Sequence, residues 1–405
     1  MKFQSQTKRK IKEKQRAAKS ALGKIQELFI NSARENNEGK YAWGQFLENG
    51  GSKQTGIYGT SAAIQILTDP DNDKYSEHQT VSDGIAFLNE NRESIQTITY
   101  KFLYLAKSVS LNRVCEKLQY YFTPEGGCAD FYRENARNTN ASIIATSTVL
   151  LSLDRYSEFK GSEECKRSLK RLLKEFNGPI EMQYIKDYGI KIIETSISIL
   201  ALVKYREELR RYGFDDLYCK AIELYKKIAS EWIKYNGLFE CSIVYSFSTE
   251  QHDDQGANIK HMFFLPNCLV ALVLLRIDAS EEFMPCITSV VTYYLRFFDD
   301  ENPRGFRSKT TGMISTVDHL WIYRLFKEFS AKKPEEFLCP WPNIQKLIRH
   351  KTSYFIIAII ISLLSAFFGA SLMGLDELVI YTVGAVILAI STTFLANFIF
   401  RKRNE

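Results

Sequence analysis

Apolar and polar residues follow one another along the chain in blocks whose spacing predicts helices. Between residues 37 and 333 a nearly continuous apolar run recurs five times, each time after residues with small or hydroxyl side chains. The runs AAIQIL, TVLLSL, ISILAL, LVALVL and VDHLWI come with Thr60-Ser61, Thr146-Ser147, Thr195-Ser196, Asn267-Cys268 and Ser315-Thr316. Helices that are apolar nearly all round are buried. Because the region shows few strand signatures, the sequence predicts an all-α fold.

A glycine-containing turn precedes each apolar run, and three runs also follow a charged amphipathic segment. The turns are Gly50-Gly51, Gly126-Gly127, Asn177-Gly178, Asn236-Gly237 and Pro303-Arg304-Gly305, and the amphipathic segments are 165–176, 217–233 and 286–298. Glycine after a helix takes the left-handed conformation that caps it, and Thr, Ser or Asn near the next helix start satisfies free N–H groups. We therefore expect stacked helix pairs, with amphipathic outer helices around apolar inner ones.

The first of these units carries a more specific pattern. Trp43-Gly44-Gln45-Phe46 is followed by Gly56-Ile57-Tyr58-Gly59-Thr60-Ser61-Ala62-Ala63. This aromatic-glycine loop ahead of a Thr/Ser-Ala helix resembles the repeats of the α/α toroid superfamily, which contains terpenoid cyclases and protein prenyltransferases. The resemblance implies that residues 37–339 form a toroid-like ring of helix pairs, with a cleft at the N-terminal ends of the inner helices.

The catalytic motifs of that superfamily are missing from the sequence. Terpene cyclases use Asp-x-Asp-Asp as an acid or Asp-Asp-x-x-Asp to hold magnesium, and neither occurs at the Asp pairs 215–216, 253–254 or 299–300. The Asp-x-Cys pair of prenyltransferases and the Cys-His pair of lanthionine cyclases, which bind zinc, are also absent. Because a fold does not carry a function, the sequence argues against these four chemistries and predicts no cofactor.

Polar and aromatic residues near the predicted starts of the inner helices are candidates for lining the cleft. They are Trp43, Tyr58, Arg133, Glu194, Asp253, Asp254, Asp318 and His319. Asp318 and His319 are either an acid/base pair that faces the cleft, or the acid is there because the helix dipole stabilises it. His252 and His261, in a polar loop with the acidic pair, are weak candidates for ligands of a divalent metal, since loop residues of this kind are usually just solvated.

Two long uncharged runs occupy the C-terminal part of the chain. Residues 354–375 and 378–400 contain no charged side chain and are separated only by Asp376-Glu377. As a helix, with a rise of about 1.5 Å per residue, each run crosses a hydrocarbon core of roughly 30 Å. Basic residues flank both runs, and such flanks lie on the cytoplasmic side. The sequence therefore predicts a transmembrane hairpin with both chain ends in the cytoplasm, a linker over 340–353 and a basic tail over 401–405.

Small residues recur at four-residue spacing in both predicted membrane helices. The rows include Ala366, Ala370 and Gly374 in the first helix and Ala385, Ala389 and Asn397 in the second. Small side chains let helix backbones approach closely in lipid. Either the rows pack against each other within one hairpin, or the row of Asn397 forms a contact between copies of the chain or lines a pore.

The first 36 residues predict a basic amphipathic helix. Its apolar stripe consists of Ile11, Ala18, Leu22, Ile25 and Phe29. Residues 1–24 hold nine Lys or Arg and one Glu, so the opposite face is either simply solvated or in contact with the anionic cytoplasmic leaflet. The net charge of +6 is concentrated at the two ends of the chain. Because the body between them is mildly acidic, we expect no nucleic-acid partner.

Together these patterns favour a membrane-anchored cytosolic recognition module, a sensor or effector of the kind that serves bacterial defence or stress responses. Its expected partners are the lipid bilayer, an apolar ligand, and a protein or second copy of the chain bound through the hairpin. One alternative is an enzyme acting on an isoprenoid or other lipid-borne substrate. Another is a membrane-permeabilising effector built from oligomerised hairpins.

Overall fold

Helices form where the apolar runs predict them, and they make up most of the described part of the chain. The structure, a computed structural model, describes residues 2–36, 38–47, 55–90, 122–129, 141–154, 156–176, 189–236, 243–249, 258–299, 304–307 and 312–337. The chain divides into two compact units, Met1–Leu338 and Cys339–Glu405. The linker, the predicted membrane hairpin with its small-residue rows and the basic tail all lie outside the described residues. Among the helices that are described, none combines the length and apolar composition needed to cross a bilayer.

The helices and strands are numbered in chain order. The helices are α1 (Lys2–Ser32), α2 (Ile57–Leu67), α3 (Gln79–Glu90), α4 (Ile143–Leu153), α5 (Ser157–Lys160), α6 (Glu163–Lys174), α7 (Gly189–Lys204), α8 (Arg206–Arg211), α9 (Asp215–Asn236), α10 (Pro266–Arg276), α11 (Met284–Leu295) and α12 (Thr316–Ala331). The strands are β1 (Arg34–Glu35), β2 (Tyr41–Ala42), β3 (Ile243–Thr249) and β4 (Asn258–Phe264), and a 3-10 helix covers Pro334–Phe337.

The predicted apolar runs lie in α2, α4, α7, α10 and α12, which we call the inner helices. In α10 every residue from Pro266 to Leu275 is buried. For α2, α4 and α7 the helix begins earlier than the Thr-Ser pairs predict, and Gly56 and Ser142 are the N-caps of α2 and α4. For α12 the helix begins at the predicted opening, with Ser315 as its N-cap.

Packing follows the order of the inner helices. Neighbours in space are α4, α7, α10, α12 and α2, so the last inner helix of the sequence contacts the first. Outer helices cover them: α3 lies on α2, α6 on α4, α9 on α7, α11 on α10 and α1 on α12. The outer helices are amphipathic, as α6 illustrates by burying Cys165 and Leu169 and exposing Arg167 and Lys170. The division into apolar inner and amphipathic outer helices thus agrees with the sequence pattern.

Backbone hydrogen bonds tie the loop before α2 to the start of α12. The Leu47 N–H donates to the Ile314 carbonyl over 2.9 Å, and the Thr316 N–H donates to the Gln45 carbonyl over 3.0 Å. The Thr316 hydroxyl donates to the same Gln45 oxygen, also over 3.0 Å. These bonds hold the beginning and the end of the inner-helix series together.

Helix α1 is an outer helix that lies against α2, α11 and α12. All five residues of its predicted apolar stripe are buried. Beside the stripe, the buried Gln26 amide donates to the carbonyls of Ile66, over 2.9 Å, and Asn72, over 2.7 Å. The basic side chains of Lys10, Arg16 and Lys19 are exposed on the opposite face. The apolar face of α1 is therefore fully used inside the first unit, and only its charged face meets solvent.

The described body is mostly helical, as an all-α fold predicts, and a β-hairpin is an exception to it. Strands β3 and β4 pair antiparallel over seven residues, from Ile243 opposite Phe264 to Thr249 opposite Asn258. Strand β3 contacts α7, and β4 contacts α12. His261 therefore lies in β4, opposite Ser246, and not in a polar loop. The segment IVYSFST is rich in β-branched and aromatic residues, and apolar residues stand at alternating positions in it. This pattern is typical of a strand, but it was not recognised among the helical patterns around it.

Candidate functional site

On three inner helices the side chain four residues after the N-cap binds the backbone of the preceding loop. We call these contacts the loop clasps. Their acceptors and donors are Thr60 Oγ1 with the Trp43 N–H (3.0 Å), Thr146 Oγ1 with the Cys128 N–H (2.8 Å) and His319 Nε2 with the Phe306 N–H (3.0 Å). Each clasp satisfies a buried backbone N–H group of the loop. It therefore helps to hold that loop in place against the start of the helix.

Trp43, a predicted cleft residue, is fully buried at the first loop clasp. Its indole Nε1–H donates to the Phe29 carbonyl over 2.8 Å. Its ring also packs so closely on Gly84 of α3 that a Cβ there would lie 2.8 Å from it. These contacts join α1, α2 and α3, so Trp43 is a packing residue of the core.

His319 is held in one protonation state by its two partners. Since the Phe306 N–H donates to Nε2, the proton of the neutral ring is on Nδ1, which donates to the Ser315 carbonyl over 2.8 Å. Burial lowers the pKa of His319 to about 4, although the hydrogen bond to Ser315 acts in the opposite direction. The loop packs tightly here, since a Cβ on Gly305, where φ is +71°, would lie 3.1 Å from Nε2. With both nitrogens engaged, His319 fixes the loop and has no free nitrogen for proton transfer.

Asp318 is the neighbour of His319 in the chain, but it acts on α2 and α10 and not on the preceding loop. Its side chain is fully buried in the first turn of α12, where the helix dipole favours a carboxylate. Burial raises the pKa of the Tyr58 hydroxyl on α2, and the Asp318 carboxylate raises it further. The same two causes raise the pKa of the Cys268 thiol on α10. The Asp318 carboxylate thus acts electrostatically on residues near the starts of two other inner helices, α2 and α10.

Basic and amide groups lie further along the same three helices. The Arg324 guanidinium on α12 donates to Gln65 Oε1 on α2 over 2.5 Å and lies 5.0 Å from the centre of the Trp321 ring. Burial lowers the pKa of Arg324 to about 10, and the positive charge of Arg276 on α10 lowers it further. Arg276 itself forms an ion pair with Glu328. The C-terminal half of this contact region is therefore positively charged.

These groups form a strip along the contacts of α12 with α2 and α10. Asp318, Trp321, Arg324 and Glu328 recur at intervals of three, three and four, which places them on one face of α12. That face contacts α2 and α10, on which Tyr58 is followed by Gln65 and Cys268 by Arg276. The strip, which we call the polar seam, consists of Tyr58, Gln65, Cys268, Arg276, Asp318 and Arg324. It is acidic at the end where the inner helices begin and basic toward the other end.

The remaining predicted site residues are only partly covered by the structure. Glu194 is in the second turn of α7, is partly exposed and forms an ion pair with Lys191 over 3.5 Å. Arg133, His252, Asp253 and Asp254 lie outside the described residues, and for His261 only the backbone is described. Of the predicted set, the structure brings together Tyr58 and Asp318.

Sequence reasoning missed the basic end of the polar seam. The resemblance predicts a cleft at the starts of the inner helices, whereas Arg276 and Arg324 lie in the second half of their helices. A signal was present, because Gln65 interrupts the apolar run AAIQIL and Arg324 interrupts LWIYRLF. A polar residue inside an otherwise apolar helix needs a partner when it is buried.

The polar seam places hydrogen-bonding and charged groups on helices that are otherwise largely apolar. Among the residues that the structure describes, no group of three or more His, Cys, Asp or Glu is placed to hold a metal ion. The chemistry available in the seam is therefore that of a carboxylate, a phenol and a thiol at one end, and of guanidinium and amide donors at the other.

Comparisons of the chain with protein-family models, curated proteins and solved structures find no match.

Proposed function

We propose that this chain is a helical recognition module, attached to a membrane through a C-terminal hairpin, that binds a ligand in the polar seam. The observation that carries the proposal is the convergence of Tyr58, Cys268 and the fully buried Asp318 at the starts of three inner helices. A carboxylate that acts on groups of two other helices gives a ligand or partner one acidic point of contact shared by three helices.

We further propose that the inner helices form an α/α toroid-like ring. Support comes from the spatial order of the inner helices, in which the last contacts the first, and from the backbone bonds between residues 45–47 and 314–316. Each inner helix also has an outer helix packed on it. In such a ring the polar seam faces the space that the inner helices enclose.

The membrane part of the proposal is supported by charge and by chain connectivity. In the described part of the chain, none of Lys10, Arg16 and Lys19 on the exposed face of α1 pairs with a carboxylate. The last described segment, Pro334–Phe337, packs on α1, and Glu335 forms an ion pair with Lys8. The chain thus leaves the first unit beside a basic surface, and the two uncharged runs follow 16 residues later. Anionic headgroups attract such a surface.

Membrane attachment is tested by fractionating cells that express the full chain. We expect the protein to stay in the membrane pellet after an alkaline carbonate wash, and we expect labels added from the cytoplasmic side to reach both termini. Recovery in the wash, or labelling of the termini from opposite sides, contradicts the hairpin.

Recognition is tested by native mass spectrometry of the full chain in detergent. We expect a small molecule to remain bound to the wild type and to the control Asp299→Asn, which changes an exposed acid, but not to Asp318→Asn. No retained molecule, or equal retention by Asp318→Asn, contradicts ligand binding in the seam. Conversion of the retained molecule by the purified protein supports the enzyme alternative instead.

A further inference from the structure

Arg324 is a cation inside the protein for which the structure provides little compensation. The one described acceptor of its guanidinium is the neutral Gln65 oxygen, and it forms no ion pair with a described carboxylate. Arginine stays protonated at physiological pH, so the charge remains. A charge taken from water costs free energy unless an opposite charge or hydrogen bonds replace the water. The side chain nevertheless keeps some accessible surface, which leaves guanidinium donors open to a further partner.

Gln65 supplies a second donor without an acceptor. Because Arg324 donates to it, the amide atom facing Arg324 is the oxygen, and the NH2 group points elsewhere. That nitrogen, Nε2, is buried and has no hydrogen-bond partner among the described residues. A buried donor left in this way is unfavourable, because its hydrogen bond to water is lost without a replacement. Helix α2 thus carries a buried donor without an acceptor on the same amide that accepts from Arg324 of α12.

The surroundings favour an anion in particular. Arg276 is close enough to lower the pKa of Arg324, so the two cations repel each other, and the carboxylate of Glu328 is already paired with Arg276. The guanidinium carbon of Arg324 lies 5.0 Å from the centre of the Trp321 ring, and a ring at this distance attracts the cation while the guanidinium N–H groups remain available as donors. An anion at these N–H groups would reduce the repulsion and accept from both helices.

We propose that the basic end of the polar seam is a binding site for a phosphate group, held by Arg324 and the Gln65 amide with Arg276 nearby. The proposal rests on the recognition function above and names the chemical class of its ligand. Guanidinium binds phosphate through paired N–H donors. A tetrahedral phosphate presents oxygens in several directions, and so meets donors from two different helices, whereas a planar carboxylate presents only two.

Isothermal titration calorimetry of the full chain in detergent tests the site at constant ionic strength. The probes are inorganic phosphate and dihexanoyl phosphatidic acid below its micelle concentration. We expect at least one probe to bind the wild type, and to bind Arg324→Met at least tenfold more weakly. The control Arg296→Met, which removes the exposed arginine at the C-cap of α11, leaves binding unchanged. Binding of inorganic phosphate indicates a soluble phosphate compound as ligand, and binding of phosphatidic acid alone indicates a lipid headgroup.

The variant Gln65→Glu keeps the test decisive if Arg324→Met does not fold. A carboxylate at position 65 pairs with Arg324 in place of the phosphate, so we expect the melting temperature to rise and phosphate binding to fall at least tenfold. Binding of neither probe to the wild type, or unchanged binding by Gln65→Glu, overturns the proposal. A native ligand without phosphate, retained equally by wild type and Arg324→Met, overturns this site while the recognition function stands. Phosphate binding by the wild type without any co-purified ligand supports this site and contradicts the recognition function.

Discussion

Two faces of helix α12 handle buried ionisable groups in opposite ways, although their residues are neighbours in the chain. On the face toward the loop, both ring nitrogens of His319 have backbone partners and the neutral ring is favoured. On the face toward the polar seam, Asp318 acts on groups of two other helices, and Arg324 has a neutral amide as its described acceptor. Burial alone therefore does not mark a functional residue. The distinction between His319 and Arg324 lies in whether the described groups satisfy the side chain completely.

The same division holds on α2. Toward the loop, Thr60 accepts from the Trp43 N–H and donates to the Trp43 carbonyl, over 3.0 and 3.1 Å. Toward the seam, Tyr58 and Gln65 face α12. We therefore expect changes on the loop side to affect mainly stability, and changes on the seam side to affect mainly ligand binding.

The largest effect is expected for Gly59→Ala on the loop side. A Cβ at Gly59 would lie 1.8 Å from the Gly44 carbonyl oxygen, which is backbone and does not move aside without shifting the loop. We expect the free energy of unfolding to fall by roughly 3 kcal/mol or more, measured by urea denaturation in detergent. The control Gly23→Ala in α1, where nothing lies within 4 Å of the added methyl, gains about 1 kcal/mol from helix propensity. Equal stability of both variants would contradict the close approach of Gly59 to the Gly44 carbonyl.

A smaller effect on the same side is a pH dependence caused by His319. The pKa of a histidine is 6.5 when unperturbed, and burial lowers it to about 4 in the folded protein. Between these values the unfolded chain binds a proton that the folded chain does not, so stability falls as the pH falls from 6.5 to 4. At about 1.4 kcal/mol per pKa unit the loss amounts to about 3 kcal/mol.

The variant His319→Gln serves as the comparison, since its amide replaces one donor and one acceptor and does not titrate. Denaturation curves at several pH values should show a steeper loss for the wild type than for His319→Gln between pH 6.5 and 4. Parallel curves would mean that His319 is not held neutral.

The smallest effect on stability is expected on the seam side, for Arg324→Met. Removing a buried charge that lacks a carboxylate partner also removes its desolvation cost, so we expect the free energy of unfolding to change by less than about 1 kcal/mol. Arg276→Met should cost more, because it leaves the Glu328 carboxylate without its ion-pair partner. Thermal denaturation of both variants measures the difference. A larger loss for Arg324→Met than for Arg276→Met would place Arg324 among the structural residues.

Much of the helical framework was predictable from the sequence, because helices depend on local information. An apolar run long enough to be buried, preceded by a capping residue, predicts a helix wherever it stands, and all five runs lie in inner helices. The stripe of α1 was equally clear, since its intervals match one helix face. Predicted helix starts were less accurate, because Thr60 and Thr146 bind the preceding loop and Ser142 caps α4.

The β3–β4 hairpin and the polar seam were beyond this reasoning for a different reason. The hairpin was not predicted because apolar residues in its strands recur every two positions, whereas the pattern elsewhere in the body has helical intervals of three and four. In the seam, Gln65 and Arg324 are 259 positions apart in the chain, and neither has a neighbour in sequence that indicates its partner. Asp318 was predicted as a site residue, but its electrostatic effect on Cys268 was not.

By itself the sequence determined which segments of this protein become helices, which faces of them are apolar, and where charge is concentrated, since these depend on residues close together in the chain. Only the tertiary structure decided that α12 contacts both α2 and α10, that His319 is satisfied by a loop, and that Arg324 meets Gln65. Contacts between distant segments are set by the packing order of whole helices, and a local pattern of apolar and polar residues fits many such orders equally well.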